Sequence, residues 1–303
     1  MPKDMMNTKE VAEYLGIHEK QVYALIKGKK IPCTRITGKW IFPKHIIDKW
    51  ITTNAWEGII QAKENSKRLQ CTILSAGSND PILDILLSYM KKIHPDFYIF
   101  SCNTGSTKGL SLLSQGNTDI AWCHLFDFKS GEYNIPFIST FLPEMKITVV
   151  HLFYRELGFV LSPYTSLQLK EFSDLANNKL HFINRQKGSG TRVFLDYKLQ
   201  QANIDPMFIK GYDNEVYTHI EVGLSVLSGE ADAGIATIAI SKLFGLRFVP
   251  LVRESFDMIL SQKTFFNKGV QAFIDVLDTE NFRKMVKPLG NYDFKESGKI
   301  IYS

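Results

Sequence analysis

Residues 70 to 260 repeat one motif: an apolar run of strand length, a loop of glycine and small hydroxyl residues, then a helical stripe. Cys71-Thr72-Ile73-Leu74-Ser75 reads as a buried strand and Ala76-Gly77-Ser78-Asn79-Asp80 as its loop. Pro81 to Lys92 is then a helix with Ile82, Leu83, Leu86 and Leu87 inside, and Pro81 suits its first turn. The scheme returns with the strand Phe97 to Ser101, the loop Asn103-Thr104-Gly105-Ser106-Thr107, the helix Lys108 to Ser114 and the strand Asp119 to Cys123. Further on come strands at Ile147 to Phe153, Gly158 to Ser162, His181 to Asn184 and Ala233 to Thr237, with helices starting at Ser166, spanning Val193 to Ala202, and running from Thr218 to Leu227. A long apolar stretch, Phe248 to Leu260, closes the series. Such alternation predicts an α/β fold with parallel strands, and in these sheets ligands bind beyond the carboxyl ends of strands.

Three of those strand ends carry the same chemistry. Ser78 with Asn79, Ser106 with Thr107, and Ser189-Gly190-Thr191 each stand where a helix begins. They combine free backbone N–H groups, a positive helix end and neutral hydroxyl donors, which suits an anion. A single Gly-Ser pair there is ordinarily only an N-cap; three on one sheet point to a site. Arg192 follows the third cluster and offers a forked cation, or else an ion pair with Asp196 four residues on. Nucleotides are disfavoured, because no GxxxxGK[ST] occurs and Gly188-Ser189-Gly190 lacks the third glycine of the dinucleotide fingerprint. His124, at a strand end, is a candidate donor or a structural histidine. Asp127, Glu132 and Asp213 have no spaced partner histidine and GxSxG is absent, so no bare-metal, hydrolytic or other catalytic set is expected.

The first fifty residues follow a different rhythm. Asn7-Thr8-Lys9-Glu10 has capping-box spacing ahead of Val11, Ala12 and Leu15, and Gly16 ends that helix. His18 opens a second helix with Gln21 at the capping position and Val22, Leu25 and Ile26 as its stripe, stopped by Gly28. This is helix-turn-helix spacing, and the second helix presents Lys20, Gln21, Tyr23, Ala24 and Lys27 away from the stripe. Arg35-Ile36-Thr37-Gly38-Lys39-Trp40-Ile41-Phe42 reads as a hairpin wing with Arg35 and Lys39 near phosphate. A third helix, Pro43 to Trp50, is expected to close the core with Ile46, Ile47 and Trp50 until Thr52-Thr53-Asn54 breaks it. Residues 52–69 then read as a linker helix with Trp56, Ile59 and Ile60 on one side, either packed on its own chain or forming a dimer contact.

Charge separates the two parts. Residues 1–68 hold 13 Lys or Arg against 7 Asp or Glu, whereas residues 69–303 hold 23 against 24, so the basic charge lies where phosphate backbones would be met. Length favours more than one packing unit. Cys33, Cys71, Cys102 and Cys123 have no CxxC spacing and read as reduced thiols. With neither a signal-peptide run nor a membrane-length apolar run, a cytoplasmic protein is expected, making no membrane contact.

The stretch NTKEVAEYLGIHEKQVYALIKGKKIPCTRITGKWIFPKHIIDKWI resembles the winged helix-turn-helix domains of the excisionase and MerR-like families. The stretches SAGSNDPILDIL, NTGSTKGLSLLSQGNTDIAWCHLFD, YRELGFVLSP, FINRQKGSGTRVFLD, GYDNEVYTHIEVGLSVLSGEADAGIAT and PLGNYDFKESG resemble the cytoplasmic relatives of periplasmic molybdate- and tungstate-binding proteins. The second resemblance implies a type II periplasmic-binding-protein fold, two α/β lobes joined by crossing strands near residues 154–160 and 247–255. By it, lobe I takes about 70–156 and 252–303, lobe II about 157–251, and the domain as a whole 70–303 after a winged domain at 1–51. Ser78 and Ser106 are implied as first-lobe donors, Ser189, Gly190, Thr191 and Arg192 as the second-lobe group, and Thr218 and Thr237 as further contacts. The function implied is a one-component regulator that binds double-stranded DNA as a homodimer and senses a small oxyanion, molybdate or tungstate first, with no cofactor. Its DNA contacts would be His18, Lys20, Gln21, Tyr23, Lys27, Arg35 and Lys39. The alternatives are a regulator sensing a small organic acid and a DNA-tethered enzyme.

Overall fold

The computed structural model describes residues 4–54, 71–166, 168–176 and 180–303. The chain forms two compact units, Met1–Leu69 and Gln70–Ser303. Most of the linker expected at residues 52–69, with its Trp56, Ile59 and Ile60 stripe, falls outside the described residues.

In the first unit, strand β1 (Met5–Met6) precedes helices α1 (Thr8–Leu15) and α2 (Glu19–Lys27), then β2 (Thr34–Ile36), β3 (Lys39–Pro43) and α3 from residue 44. Asn7 Oδ1 accepts from Lys9 N and Glu10 N while Glu10 accepts from Asn7 N, the reciprocal box that starts α1. Thr37 and Gly38 both adopt positive φ, which lets β2 and β3 pair through a two-residue turn. The structure adds β1, which pairs with β3 and makes the wing three-stranded. Val11, Ala12, Val22, Ile31, Phe42 and Ile47 form the core; Ile46 stays exposed, a correction to the expected packing of α3. Nor does α3 break at Thr52. The Thr52 hydroxyl donates to Asp48 O and Asn54 Nδ2 to Trp50 O, so these polar side chains bond back onto their own helix and it continues through residue 54.

The second unit is built on one nine-stranded sheet. The first half comprises β4 (Thr72–Gly77), α4 (Pro81–Ile93), β5 (Tyr98–Asn103), α5 (Ser106–Ser114), β6 (Ile120–Cys123), a small hairpin of β7 (Phe126–Asp127) and β8 (Glu132–Tyr133), and α6 (Ile138–Phe141). Strand β9 (Ile147–Leu161) then leads into β10 (Phe182–Arg185), α7 (Gly190–Gln201), β11 (Glu215–Val216), α8 (His219–Leu227), β12 (Ala233–Thr237) and α9 (Ile238–Phe244). Strand β13 (Arg247–Ser261) returns the chain to α10 (Gln262–Phe265), α11 (Lys268–Leu277), α12 (Glu280–Val286) and β14 (Ile300–Tyr302). A 3-10 turn at Phe172–Ala176 follows Ser166, where the sequence suggested a helix start.

The strand order β11-β10-β12-β9-β13-β6-β4-β5 separates two lobes, each parallel within itself, through the antiparallel pair β9 and β13. The sheet is therefore mixed, not parallel throughout. Both central strands have fifteen residues and pair along their length, with register shifts at Pro250/Val252 and Phe256/Asp257. Lobe I packs Ile73, Leu86, Trp122 and Phe273 into its core; lobe II packs Phe159, Phe182, Leu195 and Ile235.

Candidate functional site

The loop before α5 and the loop before α7 meet where the lobes face each other. Thr107 donates through both its N and its Oγ1 to Gly188 O, the hydroxyl at 2.8 Å. A Cβ built on Gly190 would stand 2.6 Å from the His124 ring and 2.7 Å from its carbonyl oxygen. Phe128 stacks on Tyr197 with ring centroids 3.3 Å apart. The lobes are thus closed on one another, and only glycine at 190 permits the fit. Gly190→Ala should hold the loops apart and destabilise this contact on the order of 1–3 kcal/mol, as an overpacked contact does; an unchanged melting point would overturn this.

The expected first-lobe residues come together in the closed interface. Ser78 and Ser106 are buried with their hydroxyls 3.1 Å apart, and His124 N donates to Ser106 Oγ at 3.3 Å. Asn79 is buried with no hydrogen-bond partner for Oδ1. From the second lobe, Ser189 caps α7 by accepting from Arg192 N, and the buried Thr191 Oγ1 has no partner. Thr237 is buried at the start of α9, beside the Tyr292 phenol.

Two expected residues are occupied elsewhere. Arg192 stacks on Tyr212 and pairs with Asp196 and Glu215, each at 2.8 Å, so its guanidinium is consumed as the alternative ion-pair reading had it. Thr218 exchanges both hydrogen bonds of a capping box with Glu221, which leaves its hydroxyl no capacity to donate to a ligand.

The charged centre lies on residues that the sequence reading passed over. Arg155, at the middle of β9, is fully buried and bridges Asp80 Oδ2 at 2.7 Å and Glu254 Oε2 at 3.1 Å, and it also donates to Asn79 O. Tyr292 donates to the same Asp80 carboxylate. Burial raises the Asp80 pKa against the pull of Arg155. Glu254 is also buried, yet His124 and Arg155 hold it below its ordinary value. Arg185, at the carboxyl end of β10, is 1% exposed and, among the described residues, has no carboxylate at ion-pair distance. It donates to Tyr217 O at 2.7 Å and to Gln186 Oε1 at 3.3 Å, while Nη1 has no partner. Burial, then the neighbouring Arg155, lowers its pKa to about 9. Next to it Gln186 Nε2 is unpaired, and so are both ring nitrogens of His219, the first residue of α8. Burial holds the His219 pKa well below its usual value, with Arg185, Arg155 and His124 adding to the effect. The only signal in the sequence for Arg185 was its place at the end of a strand.

Buried polar groups are normally paired, and an unpaired buried cation is costlier still. Arg185 and His219 from the second lobe and His124 from the first carry unpaired buried nitrogens within one electrostatic cluster, so a negatively charged ligand that accepts hydrogen bonds would satisfy their donors.

In the first unit, His18, Lys20, Gln21, Tyr23, Lys27, Arg35 and Lys39 are all exposed. Gln21 Oε1 accepts from His18 N, so α2 spends the Gln21 carbonyl on its own cap. Arg35 stacks over Trp40 and donates to Gly38 O, which ties it to the wing.

A helix-turn-helix domain family matches residues 5–55, and the PBP superfamily domain matches residues 87–278. The chain is 27% identical over 299 residues to Uncharacterized protein YvgK of Bacillus subtilis (strain 168), covering 96% of each. Among solved structures, an ABC-transporter substrate-binding protein with bound phosphate from Clostridium perfringens is similar at 13% identity, covering 74% of this chain and 100% of that one, with a TM-score of 0.55. The tungstate ABC transporter from Geobacter sulfurreducens is similar at 15% identity, 71% and 97% coverage and a TM-score of 0.50. In the described residues no helix is long and apolar enough to cross a membrane. This chain belongs to the PBP superfamily, and with its N-terminal helix-turn-helix domain it has the architecture of a DNA-binding regulator with a ligand-binding domain.

Proposed function

We propose that this protein is a cytoplasmic one-component transcription regulator, not an enzyme, that binds DNA as a homodimer and senses a small oxyanion held between its lobes. The observation that carries the ligand class is the set of buried, unpaired donors of the second lobe, Arg185 Nη1, Gln186 Nε2 and Thr191 Oγ1, on the segment that Thr107 of the first lobe joins through its hydrogen bond to Gly188 O. A ligand bonded to both lobes favours the closed state by its differential affinity, and the linker carries that bias to the DNA-binding domains. Molybdate and tungstate are the leading ligands. A protonated phosphate would want a free carboxylate acceptor, and Asp80 is already taken by Arg155, Tyr292 and Ile82 N.

Thermal unfolding against molybdate, tungstate, sulfate, phosphate and small carboxylates tests this, since a ligand that binds only the folded state raises the melting point with its concentration over Kd. A selective rise with molybdate or tungstate is expected. A rise with carboxylates alone would move the reading to an organic-acid sensor.

For DNA, α2 is the reader. Lys20→Ala should lower affinity for operator and random duplex alike and reduce the slope of log affinity against log salt by about one. Tyr23→Ala should cost operator binding more than random binding. Fluorescence anisotropy over a salt series measures both, and salt-insensitive binding would remove α2 from the interface.

A further inference from the structure

The charge count inside the closed lobes goes beyond the ligand class. Arg155 and Arg185 stand against Asp80 and Glu254, and all four are buried. The charges of Arg185 on β10, Arg155 on β9 and His124 at the end of β6 act on the buried His219, which shares its own helix with Glu221, the residue that caps that helix. His124 has its Nδ1 3.1 Å from Glu254 Oε1, its ring stacked on Phe256 and packed against Gly190, and its Nε2 without a partner. With the carboxylates charged the four groups sum to about zero, and burial disfavours the charged form of both imidazoles, against the pull of Glu254 on His124. A doubly charged ligand placed there leaves two uncompensated negative charges away from water, which is costly. Near pH 7 the arginines already carry their charge, so the two imidazoles are the groups of this cluster that can gain positive charge. Protonation also turns each unpaired ring nitrogen into a hydrogen-bond donor.

We infer that the site takes up its oxyanion together with protons, His219 and His124 receiving them, and that it is built for a doubly charged tetrahedral oxyanion over a singly charged one of the same shape. This rests on the oxyanion reading above. Arg185 supplies the fixed charge and the histidines supply the charge that binding induces. Since the histidines are neutral in the free site and protonated in the complex, affinity falls as pH rises, by about tenfold per pH unit for each proton taken up.

Tungstate and perrhenate are nearly isosteric and differ by one charge, so they separate shape from charge. Full-length protein is titrated calorimetrically with each, and with sulfate, in imidazole, Tris and triethanolamine buffers between about pH 7 and about pH 8.5. The dependence of observed heat on buffer ionisation enthalpy gives the protons taken up. Expected are about one to two protons with tungstate, and tungstate binding roughly a hundredfold tighter than perrhenate. His219→Gln should weaken tungstate binding near pH 7 by roughly tenfold, lose about one proton and the matching pH slope, and approach the wild type as pH rises; His124→Gln provides a second variant, and the wild-type buffer series stands without either. Tungstate or sulfate binding with no proton uptake, or perrhenate binding equally well, overturns this inference and leaves the oxyanion reading intact. If neither tungstate nor sulfate gives heat or a thermal shift, both fall.

Discussion

Arg185→Met yields a protein that is more stable without ligand and no longer responds to the oxyanion. The guanidinium is buried with no carboxylate at ion-pair distance among the described residues, so in the free protein the more distant Glu221 and Glu254 only partly offset its desolvated charge. Methionine fills much of the same volume without charge, and removing such a burden stabilises by about 1–2 kcal/mol. At about 2–4 °C per kcal/mol for a unit of this size, the ligand-free melting point rises by a few degrees. Losing one partner of a buried charge pair costs binding about 2–5 kcal/mol, roughly 30-fold to several thousandfold in Kd. Thermal unfolding with and without tungstate reads both effects. A variant that melts lower and still binds would show Arg185 to be structural. Arg192→Met is the contrasting case: its charge is spent on Asp196 and Glu215, so it should leave affinity within a few-fold while loosening α7.

Arg155→Met has the opposite sign. This guanidinium joins Asp80 and Glu254, and its loss strands two buried carboxylates, costing about 3–5 kcal/mol. The melting point falls by about 6–20 °C near neutral pH. In the native protein Glu254 sits below its ordinary pKa, so it contributes stability above the unfolded value that is lost as pH falls. In the variant both carboxyls have raised pKa values, and their contribution reverses: stability is lost as pH rises from the unfolded values through the raised ones. The gap between wild type and variant therefore narrows from pH 7 toward pH 5. Melting curves across that range check it, and a gap independent of pH would mean that the carboxylates are not what the arginine serves.

The sequence made the local elements legible where periodicity and caps agree: Asn7 with Glu10, Pro81 in the first turn of α4, and β12 at Ala233–Thr237. It hid the length of β9. Arg155 and Glu156 interrupt the apolar run between Phe153 and Gly158, so one strand reads as two pieces; burial of Arg155 against carboxylates distant in sequence is what carries the strand through. The hydroxyl pair Ser78 and Ser106 was visible because both precede helices after strands. Arg185 and His219 were not, for a charged side chain and an imidazole look solvent-facing in sequence, and only the fold shows them buried. Arg192 drew attention by its nearness to Gly188-Ser189-Gly190, while Glu215, its second partner, lies 23 residues on.

Only β9 and β13 carry the main chain from one lobe to the other among the described residues, and they do so as a paired ribbon whose register shifts at two points. Such a ribbon works as a leaf spring: its stiffness comes from main-chain hydrogen bonds, and its bending points from where the ladder slips. The stiffness of the join between the lobes then rests on the main chain and is largely indifferent to the side chains of the candidate site. On the oxyanion reading, changes at Ser78, Arg185 or His219 would retune which anion is caught without resetting that stiffness, and a substitution at Pro250, beside a register shift, would alter the stiffness while leaving the catch alone.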